Sequence, residues 1–120
     1  MVRKILVIED DKLLVRLLVE KLIDKGFAVS VAYDGVEGYN KAIAEKPDLI
    51  LLDVIMPKMD GVTLLKKLRV DDGTKLTKTI ILSNISDEQK VAELQELGAD
   101  TVWTKGQHNI DELVAEVVKL

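Results

Sequence analysis

Residues 47–61 read PDLILLDVIMPKMDG. Leu49, Ile50, Leu51 and Leu52 run without a break into Asp53, and a loop follows that holds Pro57 and the Asp60-Gly61 pair. A short unbroken Leu/Ile run bounded by turn signals is the pattern of a parallel strand buried on both faces. Similar runs occur elsewhere: KILVI at 4–8 leads into Glu9, Asp10 and Asp11, and TVWT at 101–104 leads into Lys105. IILS at 80–83 ends in Ser83. Ligands of open parallel sheets bind just beyond the carboxyl ends of the strands. If these strands are neighbours, Glu9, Asp10, Asp53 and Lys105 converge on one crevice. Crowded carboxylates repel unless positive charge lies between them. The pattern therefore predicts a divalent cation, a phosphoryl group, or both.

Outward from this segment, apolar runs alternate with amphipathic ones. The predicted strands are 3–9, 28–32, 49–53, 78–83 and 100–104. The predicted helices are 12–25, 35–45, 61–71, 87–97 and 109–119. Strict alternation implies an α/β domain, a parallel sheet with helices on both faces. Gly26 and Gly98 follow helical patterns, where a left-handed residue is wanted. Asp34, Ser86 and Asn109 each stand three residues before Glu or Gln, the spacing of a helix-capping box. Leu14, Leu18 and Leu22, then Val91, Leu94 and Leu97, then Ile110, Leu113, Val114 and Val117, form helical stripes read as core.

The bulk composition removes whole classes of function. The chain has 120 residues, which suits one domain over 1–120. The last helical pattern stops at Leu120, so the expectation is no output domain, in a protein that acts alone or was trimmed from a longer one. A hydrophobic content of 48% excludes disorder, and 3% aromatics makes the core aliphatic. With a net charge of −4, electrostatic binding to nucleic acid is disfavoured. The absence of cysteine excludes disulfides, thiolate metal sites and thiol catalysis. His108 is alone, so no histidine-rich metal site can form. No apolar stretch approaches the roughly 20 residues of a membrane helix, and acids come too early for a secretory signal. A soluble cytoplasmic protein without membrane insertion is the expectation.

A carboxylate such as Asp53 can attack phosphorus and form an acyl phosphate. Glu9 and Asp10 are hard oxygen donors of the kind magnesium prefers. Lys105 carries a compact charge suited to phosphate, and the Ser83 hydroxyl could donate to a phosphoryl oxygen. Taken singly, each has a commoner fate: loop residue, helix cap, surface lysine, strand-end hydroxyl. Capping explains one acid of Glu9-Asp10-Asp11 and leaves the others unexplained. Jointly, at successive strand ends, the functional reading prevails.

These residues, in this order, resemble a response-regulator receiver domain of two-component signalling. The resemblance covers essentially the whole chain, through ILVIEDD at 5–11, PDLILLDVIMPKMDG at 47–61, IILS at 80–83, GAD at 98–100 and TK at 104–105. It implies a flavodoxin-like, doubly wound five-stranded sheet in the order 2-1-3-4-5 with five helices. It implies Asp53 as phosphoacceptor, Glu9 and Asp10 as the acidic pair, and Asp10 as the direct Mg2+ ligand. Asp53 and the backbone carbonyl of Ile55 would complete the protein's share of the metal shell. Ser83 would be the switch hydroxyl, Lys105 would pair with a phosphoryl oxygen, and Asp11 would cap a helix. The implied partners are a sensor histidine kinase or phosphotransfer protein and a downstream protein target. A homodimer through the fourth helix, fifth strand and fifth helix is a further possibility.

Three departures from the family pattern carry expectations. Lys105-Gly106 replaces the usual Lys-Pro, and a trans bond is expected because a non-proline cis bond costs about 3–4 kcal/mol. Val102 stands where a switch aromatic is usual; Trp103 should face the other side of the strand and pack. Asn84 replaces a small residue, and apolar Ile55 and Ile85 flank the site, unable to orient a hydrolytic water. Slow autodephosphorylation is expected. An aspartate-nucleophile phosphatase would want a second acid at position 55, where Ile55 stands. A flavin mononucleotide module would want a hydroxyl- and glycine-rich loop where EDDKLL presents negative charge. A phosphorylation-independent docking or dimerisation scaffold is the remaining alternative.

Overall fold

The aliphatic runs form five parallel strands: β1 (Lys4–Ile8), β2 (Ala28–Ala32), β3 (Leu49–Asp53), β4 (Lys78–Ser83) and β5 (Thr101–Thr104). They lie in the order β2-β1-β3-β4-β5, as expected. Between them run α1 (Lys12–Asp24), α2 (Gly35–Glu45), α3 (Gly61–Arg69), α4 (Glu88–Glu96) and α5 (Ile110–Val118). The computed structural model describes residues 2–120, and the side chain of Ile85 lies outside the description.

Side chains alternate across each strand, so every buried strand feeds two cores. Leu6, Ile8, Ile50, Leu52 and Ile81 pack with Ala42 of α2, Leu64, Leu65 and Leu68 of α3, and Leu94 of α4. Ile5, Val7, Leu49, Leu51, Ile80, Leu82 and Trp103 pack with Val15, Leu18 and Leu22 of α1 and Leu113, Val114 and Val117 of α5. Leu49–Leu52 are wholly buried, which is why that run shows no polar alternation. Truncating any one of them to Ala is expected to cost about 2–5 kcal/mol.

Helix ends follow local chemistry. Asp11 caps α1, accepting from the N–H groups of Leu13 and Leu14. Asp34, Asp60 and Asn109 accept from the N–H groups three residues on. Gly26 and Gly98 adopt φ of 94° and 88°. One cap expectation is corrected. Ser86 caps nothing; Asn84 and Asp87 form the box instead, the Asn84 N–H donating to Asp87 Oδ2 at 2.9 Å. A 3-10 turn, Ile85–Asp87, therefore precedes α4. Likewise α3 stops at Arg69, short of the expected 71. There Asp71 accepts from the Gly73 N–H at 3.0 Å and starts a turn.

Candidate functional site

The parallel register brings the strand ends to one edge. Ile8 pairs with Leu52, so Glu9 and Asp53 leave neighbouring strands side by side. Asp53 pairs with Leu82, placing Ser83 one residue further along, and Ser83 pairs with Thr104. The Lys105 N–H then donates to Ser83 O at 2.8 Å, which fixes the base of the lysine over the same edge. Gly61 allows α3 to start against this corner. A Cβ on Gly61 would lie 2.6 Å from the backbone oxygen of Asp53.

Glu9 is wholly buried, Asp53 is 4% exposed, and Asp10 is exposed at the rim. One carboxylate oxygen from each lies within 4.8 Å of the others. Lys105 Nζ sits 2.5 Å from Glu9 Oε1 and 3.5 Å from Asp53 Oδ1. The approach to Glu9 Oε1 is close but poorly aligned, so that oxygen has a charge partner and no directed hydrogen bond. The other oxygen, Glu9 Oε2, accepts from the Asp11 N–H at 3.0 Å and anchors the side chain.

Burial pushes the Asp53 carboxyl up to about 8; a hydrogen bond and the charge of Glu9 add to the rise, and Lys105 opposes it. Burial alone would lower Lys105, but Glu9 and Asp53 outweigh it and hold the amine above the usual lysine range. Three acids thus share one ammonium, and ionising all three leaves excess negative charge at a buried corner. A hard oxygen set with an undirected buried carboxylate oxygen fits a divalent cation such as magnesium.

Glu9, Asp10, Asp53, Ser83 and Lys105 are therefore brought together. Ile55 lies two residues beyond Asp53 and is 53% exposed. It lines a cavity of about 480 Å³ with Ser86–Lys90 at the start of α4. The expectation that Ile85 flanks the site concerns a side chain outside the described ones. No peptide among the described residues is cis, so Lys105–Gly106 is trans, as expected. Trp103 and Val102 face opposite sides, also as expected. Trp103 is buried on the α5 side and its Nε1 donates to Asn109 O at 3.1 Å, while Val102 packs on the other core.

One contact had no sequence signal. Lys90 on α4 reaches Asp60, the α3 cap, at 3.4 Å. The Asp60-Gly61 pair marked a helix start, but nothing local marked Lys90 as its partner.

The model of the response regulator receiver domain matches residues 5–118. The chain belongs to that family. Among curated relatives, the Bacillus subtilis alkaline phosphatase synthesis transcriptional regulatory protein PhoP is 46% identical over 105 residues, 86% of this chain and 42% of that protein. The Staphylococcus aureus response regulator ArlR is 36% identical over 115 residues, 95% of this chain and 50% of that protein. This receiver thus spans about half the length, or less, of these relatives. Among solved structures, the receiver domain of Francisella response regulator 1452 aligns with TM-score 0.84 and 36% identity, over 98% of this chain and 94% of that one. Chemotaxis response regulator CheY4 of Vibrio cholerae aligns with TM-score 0.87 and 29% identity, over 99% and 98%. Receivers are signalling modules rather than turnover enzymes. They typically bind Mg2+ at an acidic pocket, and Glu9, Asp10 and Asp53 form such a cluster here.

Proposed function

We propose that this receiver is a phosphoacceptor switch in which Asp53 takes a phosphoryl group from a phosphohistidine of a sensor kinase or phosphotransfer protein. The supporting observation is the placement of Asp53: buried at the end of β3, with Lys105 Nζ 3.5 Å away and two further carboxylates within 4.8 Å.

An Asp53 carboxylate oxygen attacks phosphorus in line; the new O–P bond forms as the P–N bond to the donor imidazole breaks. Lys105 pairs with a phosphoryl oxygen and offsets its charge. Glu9 and Asp10, with Asp53 and the Ile55 carbonyl, would hold magnesium, which when bound would supply positive charge against both the carboxylates and the phosphoryl oxygens. Glu9 also steers Lys105 through its ion contact.

The Ser83 hydroxyl then donates to the phosphoryl group and draws the end of β4 inward. Because β4 runs through the 3-10 turn directly into α4, that shift biases the position of α4 and β5. The α4–β5–α5 face is the output surface, read by a protein target or by another part of a longer chain. A cytoplasmic location belongs to the same reading.

Ile55 offers no group to orient water, so phosphoryl release from the isolated protein is slow, with a half-life of minutes or longer; release within seconds contradicts this. Borohydride reduction after treatment with acetyl phosphate and magnesium tests the acceptor. Homoserine at position 53 on peptide mapping is expected. Reduction product at another acid, or at none, overturns the assignment.

A further inference from the structure

The loop between α3 and β4, residues 70–77, lies at the other edge of the sheet from Asp53, since Lys78 begins β4 opposite Leu49. It carries the two most exposed large apolar side chains among the described residues, Val70 at 84% and Leu76 at 87%. The loop that presents them is fixed. Thr74 is buried and its hydroxyl donates to Leu68 O at 2.8 Å. The Lys75 N–H donates to Asp71 O at 2.8 Å, and the Arg69 guanidinium donates to Thr77 O at 3.0 Å. Val70 and Leu76 are therefore held out in water by the structure on either side of them.

Lysines surround these two residues. Residues 66–78 hold five Lys or Arg and two acids. Lys66, Lys67, Lys75 and Lys78 are exposed. Exposed Lys46, after α2, comes to the same corner: a Cβ on Gly73 would lie 2.8 Å from its Cε. Lys75 is offset by Asp72 at 3.4 Å. Lys46, Lys66, Lys67 and Lys78 make no ion pair among the described residues. On the α4 side, Glu96 and Asp100 share a cavity with Leu76 and Lys78. Asp100 is engaged there, accepting from the Thr79 N–H at 3.0 Å. Six cations thus stand against four acids at this corner, with the excess on the α2–α3 side.

This combination selects among occupants. Nucleic acid would satisfy the lysines and leave Val70 and Leu76 in water. A second copy, packed about a two-fold axis, would set lysines against lysines. An anionic lipid surface meets both needs, with phosphates at the level of the lysines and an apolar phase just beneath them. Contact would be with the surface only, since no helix among the described residues is long and apolar enough to cross a membrane. The Asp53 edge would face away from the lipid, open to a phosphodonor.

We propose that the α3–β4 corner docks this receiver on the surface of an anionic bilayer. Val70 and Leu76 enter the boundary between headgroups and acyl chains, and Lys46, Lys66, Lys67 and Lys78 pair with lipid phosphates.

The test is cosedimentation with vesicles at low salt, of phosphatidylcholine alone or mixed equally with phosphatidylglycerol. The mixed vesicles are expected to carry the protein down and the phosphatidylcholine vesicles not. Lys66→Gln with Lys78→Gln should weaken binding about tenfold or more. Lys12→Gln with Arg16→Gln on α1, an equal change in charge, should weaken it far less. Val70→Ser with Leu76→Ser should also weaken it, with no change in charge, whereas Leu13→Ser on α1 should not. Melting temperatures confirm that each variant is folded. Equal sedimentation with both vesicles, sedimentation with neither, or undiminished binding in Val70→Ser with Leu76→Ser overturns the proposal. So does tighter binding to duplex DNA that needs Lys66 and Lys78 but not Leu76, which would make nucleic acid the occupant. Phosphorylation at Asp53 without vesicle binding removes this inference alone, and vesicle binding by a chain that never accepts phosphate removes the phosphoacceptor reading alone.

Discussion

Lys105 reaches past the acceptor: its Nζ lies 2.5 Å from Glu9 Oε1 but 3.5 Å from Asp53 Oδ1. The one ammonium at the site is thus held mainly by the flanking acid, and Asp53 is left in a buried, acid-rich corner. Its carboxyl, pushed up to about 8, is the most perturbed acid described here.

The first prediction is a gain in stability on removing that charge. The unfolded chain releases the Asp53 proton near its ordinary value of 3.8, while the folded chain keeps it until about 8. The unfolded state therefore binds fewer protons between these values, and stability falls as pH rises through that window. Asp53→Asn removes this slope. Without divalent cation, urea unfolding should show the variant more stable than wild type at pH 8, by about 1–3 kcal/mol, and little different near pH 4. A variant less stable at pH 8 would contradict the burial argument.

Magnesium should act in the same direction on the wild type. A cation that binds the folded acids stabilises by RT ln(1 + [L]/Kd), about 2.7 kcal/mol at a hundredfold excess over Kd. Asp10 is exposed, so Asp10→Asn should leave the metal-free fold intact while the magnesium-induced rise in melting temperature shrinks or disappears. An undiminished rise in Asp10→Asn would move the metal away from this cluster.

The corner itself depends on one missing side chain. A Cβ at position 61 would meet Asp53 O at 2.6 Å and Val54 O at 3.1 Å, both backbone atoms that cannot turn aside. Gly61→Ala should cost about 1–3 kcal/mol and slow phosphorylation by displacing the end of β3. Wild-type stability and phosphorylation rate together would show that α3 does not press on the acceptor strand.

Much of this was legible beforehand, for physical reasons. Leu49–Leu52 could be read as a strand because burial on both faces erases polar alternation. Glu9, Asp53, Ser83 and Lys105 could be read as a site because strand ends in a parallel sheet share an edge. Contacts made only by tertiary packing were not legible. Arg69 is an example: its guanidinium donates to Leu97 O at 2.7 Å and Thr77 O at 3.0 Å, tying α4 to the loop before β4. In the sequence it was one more basic residue at a helix end. The Asn84–Asp87 box was missed because Ser86 offered the same spacing.

The most direct test is the intact mass of wild type and Asp53→Asn after incubation with acetyl phosphate or a phosphohistidine protein, with and without magnesium. The expected result is one added phosphoryl group on the wild type, dependent on magnesium and absent in the variant. A gain that persists in Asp53→Asn, or no gain from either donor, would contradict Asp53 as the phosphoacceptor.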